Sequence, residues 1–200
     1  RPFVTTKIAT SADGFISAKA GQQTWLTNEQ SRRYVHDLRS RVDGLLTGIQ
    51  TVLVDDPALT CRLPGGRGRT PVRLVLDSDL RLPVHSQLVR TIAEGRIITF
   101  CAQQADKSAQ AALQAAGVEV VRLCCNNGGL DLSEALQWCE QNDLSNLLVE
   151  AGTKLNRSLF EAGLLDRLIH LTAPGKINQG VQGLLYDANT ASALAFPNDS

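Results

Sequence analysis

Thr51-Val-Leu-Val-Asp-Asp-Pro-Ala-Leu-Thr-Cys-Arg-Leu-Pro64 sets two adjacent carboxylates, Asp55 and Asp56, against Pro57, with Arg62 six residues beyond Asp56. Proline cannot continue a helix and drives the residue before it towards an extended conformation, so the acid pair stands where a short helix breaks into a loop. Loops held by a rigid scaffold are where polar recognition of small molecules tends to live. Two carboxylates followed by a guanidinium suit a ligand that carries both hydroxyls and a phosphate. Taken alone, Asp-Asp-Pro is more simply a solvated turn. Its company changes that reading: Lys7, Ser11-Ala-Asp-Gly14, Trp25-Leu-Thr27 and Arg39 precede it in order, and Leu148-Val-Glu-Ala-Gly152 follows.

On both sides of this block, apolar β-rich segments alternate with helical ones. Strands are expected over residues 3–10, 44–49, 72–77, 96–101, 118–123, 146–150 and 168–172. Their Val, Ile and Leu content alternates only weakly, the pattern of central strands covered on both faces. Thr27-Asn-Glu-Gln30 reads as a capping box that opens a helix to about Ser40. Residues 106–116 are rich in Ala and Gln and stop at Gly117. Leu132, Ala135, Leu136 and Cys139 fall at i, i+3, i+4 and i+7, a stripe for core packing. Residues 154–162 follow a strand directly and end near Gly163. This alternation predicts an α/β fold, a mostly parallel central sheet with helices on both faces. With 200 residues, 43% of them hydrophobic, the chain is expected to form a single domain, residues 1–200. The Gly65-Gly-Arg-Gly-Arg69 stretch is no P-loop, since no Gly-Lys-Ser/Thr follows, and reads as a mobile basic connection.

The twenty basic and twenty acidic side chains cancel, which argues against nucleic acid or an anionic membrane as partner. No apolar run reaches the ~20 residues of a membrane helix, and no signal peptide opens the chain. Cys61, Cys101, Cys124, Cys125 and Cys139 are odd in number and lack zinc spacing, so reduced, mostly buried thiols in a cytoplasmic protein are expected. The chain opens on Arg1 and holds no Met, as a fragment, a processed form or a sequence stripped of modified methionines would.

Leu148-Val-Glu-Ala-Gly-Thr-Lys154 is a strand running into a helix. Free N–H groups at a helix start favour an anion such as a pyrophosphate, and Gly152 permits close backbone approach. An ordinary strand-to-helix turn is the plainer alternative. Glu150, at the strand end, suits hydrogen bonds from a heterocycle or a sugar hydroxyl; an exposed strand-end Glu reads equally well. Lys7 lies within an apolar strand, where a bare ammonium needs a partner. That partner is either solvent, reached by snorkelling, or Glu150 on a neighbouring strand. Asp13-Gly14 is by default a turn. Arg39 is either an exposed helix residue or, with Arg62, a phosphate clamp, for which the guanidinium fork is well shaped. Ser78 directly follows the strand that ends at Asp77, whose charge opposes an anion at Ser78 if it points the same way. His36, His85 and His170 are far apart and join no metal-ligand spacing.

Together with Thr-Val-Leu-x-Asp-Asp-Pro-x-Leu-Thr-x-Arg, these motifs resemble the reductase domain of the bifunctional riboflavin-biosynthesis deaminase/reductase, from Arg1 to about Leu185. The resemblance implies a dihydrofolate-reductase-like fold. It also implies NADPH-dependent reduction of 5-amino-6-(5-phosphoribosylamino)uracil to its ribitylamino product, by opening of the ribosylamine and hydride delivery to C1. It makes Lys7 and Glu150 catalytic, with Lys7 protonating or polarising the C1 centre. It carries Ala9, Trp25, Thr51, Asp55, Ser78, Gly152, Thr153, Lys154, Leu155, Asn156, Arg157 and Ser158 over as NADPH contacts. Gln23, Arg39, Leu59 (through its backbone), Arg62 and Glu150 become substrate contacts. Arg157 departs from the family, which commonly has Gly there, and either adds a phosphate donor or blocks the approach. The His-x-Glu…Pro-Cys-x-x-Cys zinc pattern of deaminases is missing, so the deaminase half is expected in the full-length protein and not in this chain. The same reduction of the undeaminated 2,5-diaminopyrimidinone, pterin or folate reduction, and a non-catalytic nucleotide-binding or assembly domain stay open. After Leu185 no β-patterned segment follows. The sheet edge beyond residues 168–172 is therefore expected to be open or covered in a homodimer, with the tail after Asn189 poorly ordered outside such an interface.

Overall fold

The computed structural model describes residues 1–18, 29–66, 68–126 and 128–182. Strand β1 (Phe3–Thr10) turns at Gly14, φ 87°, into short β2 (Phe15–Ser17). Helix α1 (Glu29–Ser40) leads to β3 (Gly44–Gly48), and α2 (Ile49–Asp55) follows without a loop. Next come β4 (Val72–Leu76), the one-turn α3 (Gln87–Arg90) and β5 (Ile97–Ala102). Helix α4 (Lys107–Ala115) starts where the Asp106 carboxylate accepts the Ala109 N–H, and it ends before Gly117, φ 87°. Strand β6 (Glu119–Leu123) and the small hairpin of β7 (Cys125–Asn126) and β8 (Gly129–Leu130) precede α5 (Leu132–Gln141). Strand β9 (Asn146–Val149) runs into α6 (Thr153–Glu161), then β10 (Arg167–Thr172) and β11 (Val181–Gln182).

The main sheet has seven strands in the order β10-β1-β9-β3-β4-β5-β6, all paired in parallel. Side chains alternate across a pleat, so each strand feeds two cores. Leu46, Leu74, Ile98, Phe100, Leu147 and Val149 meet α5 and α6 on one face. Leu45, Val75, Ile97, Cys101 and Leu148 meet α2, α3 and α4 on the other. Phe100 also packs edge-on against Trp138, with ring centroids 5.4 Å apart. The expected strands all form, with ends shifted by about one residue. Ile49 opens α2 where it was expected to close β3, and Glu150 stands just past β9. Strands β2, β7, β8 and β11 and helix α3 are too short to impose a period on the sequence.

The Asp13-Gly14 turn, which the family resemblance makes part of the site's frame, has a distant partner. The Asp13 carboxylate accepts the N–H groups of Ile177 (3.0 Å) and Asn178 (2.7 Å), while Ser11 donates to it at 2.6 Å. These bonds lower its pKa to about 2, the Ser11 hydroxyl contributing most. Ala12 N–H donates to Gly175 O, and β11 pairs antiparallel with β2. Residues 173–179 are thereby tied to the end of β1.

Arg73, in the centre of β4, is fully buried. It donates to Ala58 O (3.1 Å), Leu88 O (3.2 Å), Thr91 Oγ1 (2.8 Å), Thr91 O (2.9 Å) and Gly95 O, and its Nε lacks a partner. Among the described residues no carboxylate pairs with it. Burial pulls its pKa down to about 10, still well above neutrality, so the cation persists. It fastens the loop after Pro57 to the segment from α3 to Gly95.

All five cysteines are free. Cys101 and Cys139 are buried, and burial pushes the Cys139 thiol up to about 12. Cys124 and Cys125 are exposed, which corrects the expectation of mostly buried thiols. Strands β10 and β6 end the sheet among the described residues. Trp25, Gln23, the capping Thr27, Arg67 and the tail after Gln182 lie outside those residues. Among the described residues no helix is long and apolar enough to cross a membrane, and no cluster of His, Cys, Asp and Glu could hold a metal.

Candidate active site

The carboxyl ends of β1, β3, β4 and β9 open into one cleft of ≈ 2020 Å³. Ligands of open α/β sheets collect at such strand ends. Lys7 and Glu150 come from adjacent strands, β1 and the end of β9. Their charged atoms lie 3.5 Å apart, with side chains 18% and 11% exposed. Glu150 is held by β3: its N–H donates to Leu46 O (3.0 Å), and Thr47 Oγ1 donates to its carbonyl (2.8 Å). Burial pushes the Glu150 carboxyl up, but Arg39 and Lys7 outweigh it and lower the pKa to about 2. It is a carboxylate at any working pH.

Arg39 stands differently from expectation. Its Nε and Nη2 donate to the two Glu150 oxygens at 2.7 and 3.1 Å, and its Nη1 donates to Thr60 O at 3.0 Å. A guanidinium held in a bidentate fork with a carboxylate is largely neutralised. Arg39 therefore lines the cleft as a guanidinium shared with Glu150, and exposed Arg62 lines the same cleft.

Helix α1 buries none of its residues fully. Arg32, Val35, His36 and Arg39, at i, i+3, i+4 and i+7, all line the cleft. The facing wall is the Asp-Asp-Pro loop, where Asp56 (φ 39°) and Leu59 (φ 53°) hold left-handed conformations without being glycine. Such strain persists only where the surroundings impose it, often at binding loops. Three contacts stitch this loop to α1: the Arg39 bond to Thr60 O, Cys61 Sγ to His36 O (3.2 Å), and Arg62 N–H to His36 Nδ1 (3.2 Å). In the sequence His36 stands out of metal-ligand spacing with His85 and His170. Helical spacing of polar residues running back from Arg39 would have found it.

Of the expected site residues, Lys7, Ala9, Arg39, Thr51, Asp55, Leu59, Arg62, Ser78, Glu150, Gly152, Thr153, Lys154, Leu155, Asn156 and Ser158 line the cleft. Burial pushes the Asp55 carboxyl up. Asp56 is engaged elsewhere, accepting the Gln87 N–H at 2.8 Å. Asn156 also has a structural role. Its side chain is 2% exposed, accepts from Thr6 Oγ1 at 2.5 Å and donates to Ala151 O at 2.9 Å, so it braces the turn from below. Arg157, on the same helix, lies outside the cleft lining. Asp77 is fully buried and accepts the Leu82 N–H at 2.8 Å, which removes it from the surface beside Ser78. Arg81, unmarked in the sequence, lines the cleft there.

Residues 2–182 match the RibD C-terminal domain family. The chain is 36% identical to the riboflavin biosynthesis protein RibD of Actinobacillus pleuropneumoniae, over 87% of this chain and 46% of that protein. It is 32% identical to a 2,5-diamino-6-ribosylamino-4(3H)-pyrimidinone 5′-phosphate reductase of Methanothermobacter thermautotrophicus, over 87% of this chain and 78% of that one. The crystal structure of a diaminohydroxyphosphoribosylaminopyrimidine deaminase/5-amino-6-(5-phosphoribosylamino)uracil reductase from Thermotoga maritima superposes with a TM-score of 0.74 at 28% identity. That match covers 91% of this chain and 47% of that one. The chain spans about half the length of the RibD proteins it matches. Its fold is dihydrofolate-reductase-like. With the motif order and the Lys7–Glu150 geometry in place, the chain belongs to the RibD C-terminal domain family.

Proposed function

We propose that this chain reduces a 5-phosphoribosylamino-pyrimidine in riboflavin biosynthesis, taking its reducing equivalent from NADPH. The observation that carries this reading is the half-buried Lys7–Glu150–Arg39 set, which shares one cleft with the open start of α6. The residues present fit a phosphorylated dinucleotide. Gly152 caps α6 without a side chain, and a β-carbon there would meet nothing within 4 Å, so an anion can approach the backbone N–H groups. Ser78 and Arg81 line the cleft and offer donors for a 2′-phosphate, with buried Asp77 3.8 Å from the Arg81 guanidinium.

When bound, NADPH supplies the hydride. The chain's own groups supply position and charge. Glu150 stays a carboxylate and holds the Lys7 ammonium at the end of β1. Lys7 polarises the ring-opened C1=N group and gives its proton to nitrogen as C1 is reduced. Arg62 holds the phosphate end. Removing Lys7 as proton source falls hardest on kcat.

The test is NADPH oxidation in the presence of the deaminated or the undeaminated phosphoribosylamino-pyrimidine. Oxidation is expected to match pyrimidine consumed mole for mole. NADPH is expected to bind at least about tenfold more tightly than NADH, as one charge-assisted hydrogen bond allows. Equal affinities by calorimetry would remove the NADPH preference. Tight nucleotide binding with no oxidation for either pyrimidine would favour a non-catalytic nucleotide-binding domain.

The same reading makes the chain one module of a longer cytoplasmic protein that carries a deaminase domain. It acts as a homodimer, with β10, which ends the sheet among the described residues, as a candidate contact. Sedimentation at micromolar concentration should give twice the chain mass, and a clean monomer would refute the dimer.

A further inference from the structure

We propose that His36 is a positioning residue for the anion-binding arm of the cleft: by accepting the Arg62 backbone N–H at Nδ1, it fixes residues 60–62 against α1 so that Arg62 meets the substrate's phosphate. This rests on the pyrimidine-reductase reading above and extends it to a residue outside the expected site.

A backbone N–H can only donate, so the 3.2 Å bond from Arg62 requires a lone pair on Nδ1. The neutral ring then carries its single N–H on Nε2. Burial, followed by the nearby Arg39 and Arg62 guanidiniums, lowers the His36 pKa, while Glu150 and the Thr60 backbone pull weakly the other way. The neutral form that Nδ1 requires is thus the favoured one. His36 holds the loop at a second atom too, because its carbonyl accepts from Cys61 Sγ. Two residues earlier in the loop, Leu59 is held at φ 53°, so the backbone that presents Arg62 is imposed by such contacts. Both His36 and Arg62 line the cleft, and Arg39 is taken up by Glu150. The placement of Arg62 therefore bears on where the substrate's phosphate is held.

The side chains of Asn and Gln separate this role from general support of the fold. The Asn amide can offer an acceptor near the Nδ1 position, and the longer Gln amide sits nearer Nε2. In His36→Ala, KM for the phosphorylated pyrimidine is expected to rise about tenfold, as loss of one hydrogen bond allows, with a smaller change in kcat. His36→Asn should recover most of that loss, and His36→Gln should not. With the dephosphorylated pyrimidine the three variants should match wild type in KM. Arg62→Ala should show the same dependence on the phosphate. Calorimetric titration with ribose 5-phosphate should rank the proteins in the same order, wild type and Asn above Gln and Ala.

Equal KM values for Asn and Gln variants, or a loss of the same size on the dephosphorylated substrate, would overturn the proposal. The Asn and Gln pair carries the test if the Ala variant does not fold. Wild-type protein that binds ribose 5-phosphate in the expected rank order but reduces neither pyrimidine would sink the reductase reading and leave the role of His36 standing. Normal wild-type turnover with no effect in His36→Ala would do the reverse.

Discussion

Lys7→Met is expected to lower kcat by about 10²–10⁴-fold, the usual worth of a placed proton donor, while KM changes far less. The side chains are similar in length and apolar stem, so the change removes the ammonium with little effect on packing along β1. What it leaves behind is Glu150 with Arg39 as its remaining close cation. Because that bidentate pair is intact, the carboxylate should stay ionised and the fold should persist. The loss then belongs to the transition state, where a proton source is missing as C1 is reduced, and it appears in kcat before KM. Steady-state kinetics on a variant with a wild-type melting profile is the measurement, and wild-type kcat would demote Lys7 to a structural residue. The pH dependence follows from Glu150. Its folded pKa, about 2, lies below the ordinary carboxylate value, so its pairing stabilises the fold above about pH 4.5 and is lost as pH falls towards 2. Between pH 5 and 8 no limb of the rate profile should trace to Glu150.

Arg73→Met should cost the fold about 3 kcal/mol or more, a large share of the roughly 5–15 kcal/mol that holds a domain together. The side chain fills nearly the same volume, so the change tests hydrogen bonding more than packing. Leu88 O would lose its Arg73 donor in a buried position and Ala58 O, Thr91 O and Gly95 O theirs in partly buried ones, at up to roughly 1–3 kcal/mol for an acceptor left without a partner. Relief from burying an unpaired cation offsets part of this. For a chain of this size the net loss corresponds to a Tm lower by roughly 6–12 °C. Arg73→Lys should fall between, since an ammonium has three donors and no planar fork. Thermal or urea unfolding checks it, and a Met variant as stable as wild type would mean the guanidinium is merely tolerated.

The sequence by itself determined the strands, the longer helices and their alternation along the chain. Hydrophobic periodicity reports how each segment is covered, and the strands of the main sheet, buried on two faces, leave long apolar runs that survive in one dimension. Gly117 and Asp106 mark helix ends through local chemistry, so they too are legible without a fold. The acid pair, Lys7 and Glu150 could be picked out because their residue types conflict with their surroundings: a cation inside a strand, carboxylates at a break.

Only the tertiary structure decided what those groups touch. Arg39 and Glu150 are 111 residues apart, and their fork forms because parallel crossovers bring the end of β9 beside α1. Asp13 holds residues 177 and 178 across a comparable gap, and Arg73 reads as a strand residue until five acceptors are seen to converge on it. Helical spacing places His36 on the face of Arg39, but its bond has no local signature, since the N–H that fixes its tautomer comes from a loop 26 residues away. Periodicity arises from burial, which each segment records in its own composition. A hydrogen bond between distant segments is a property of their relative placement, and that is set by the packing of the whole sheet.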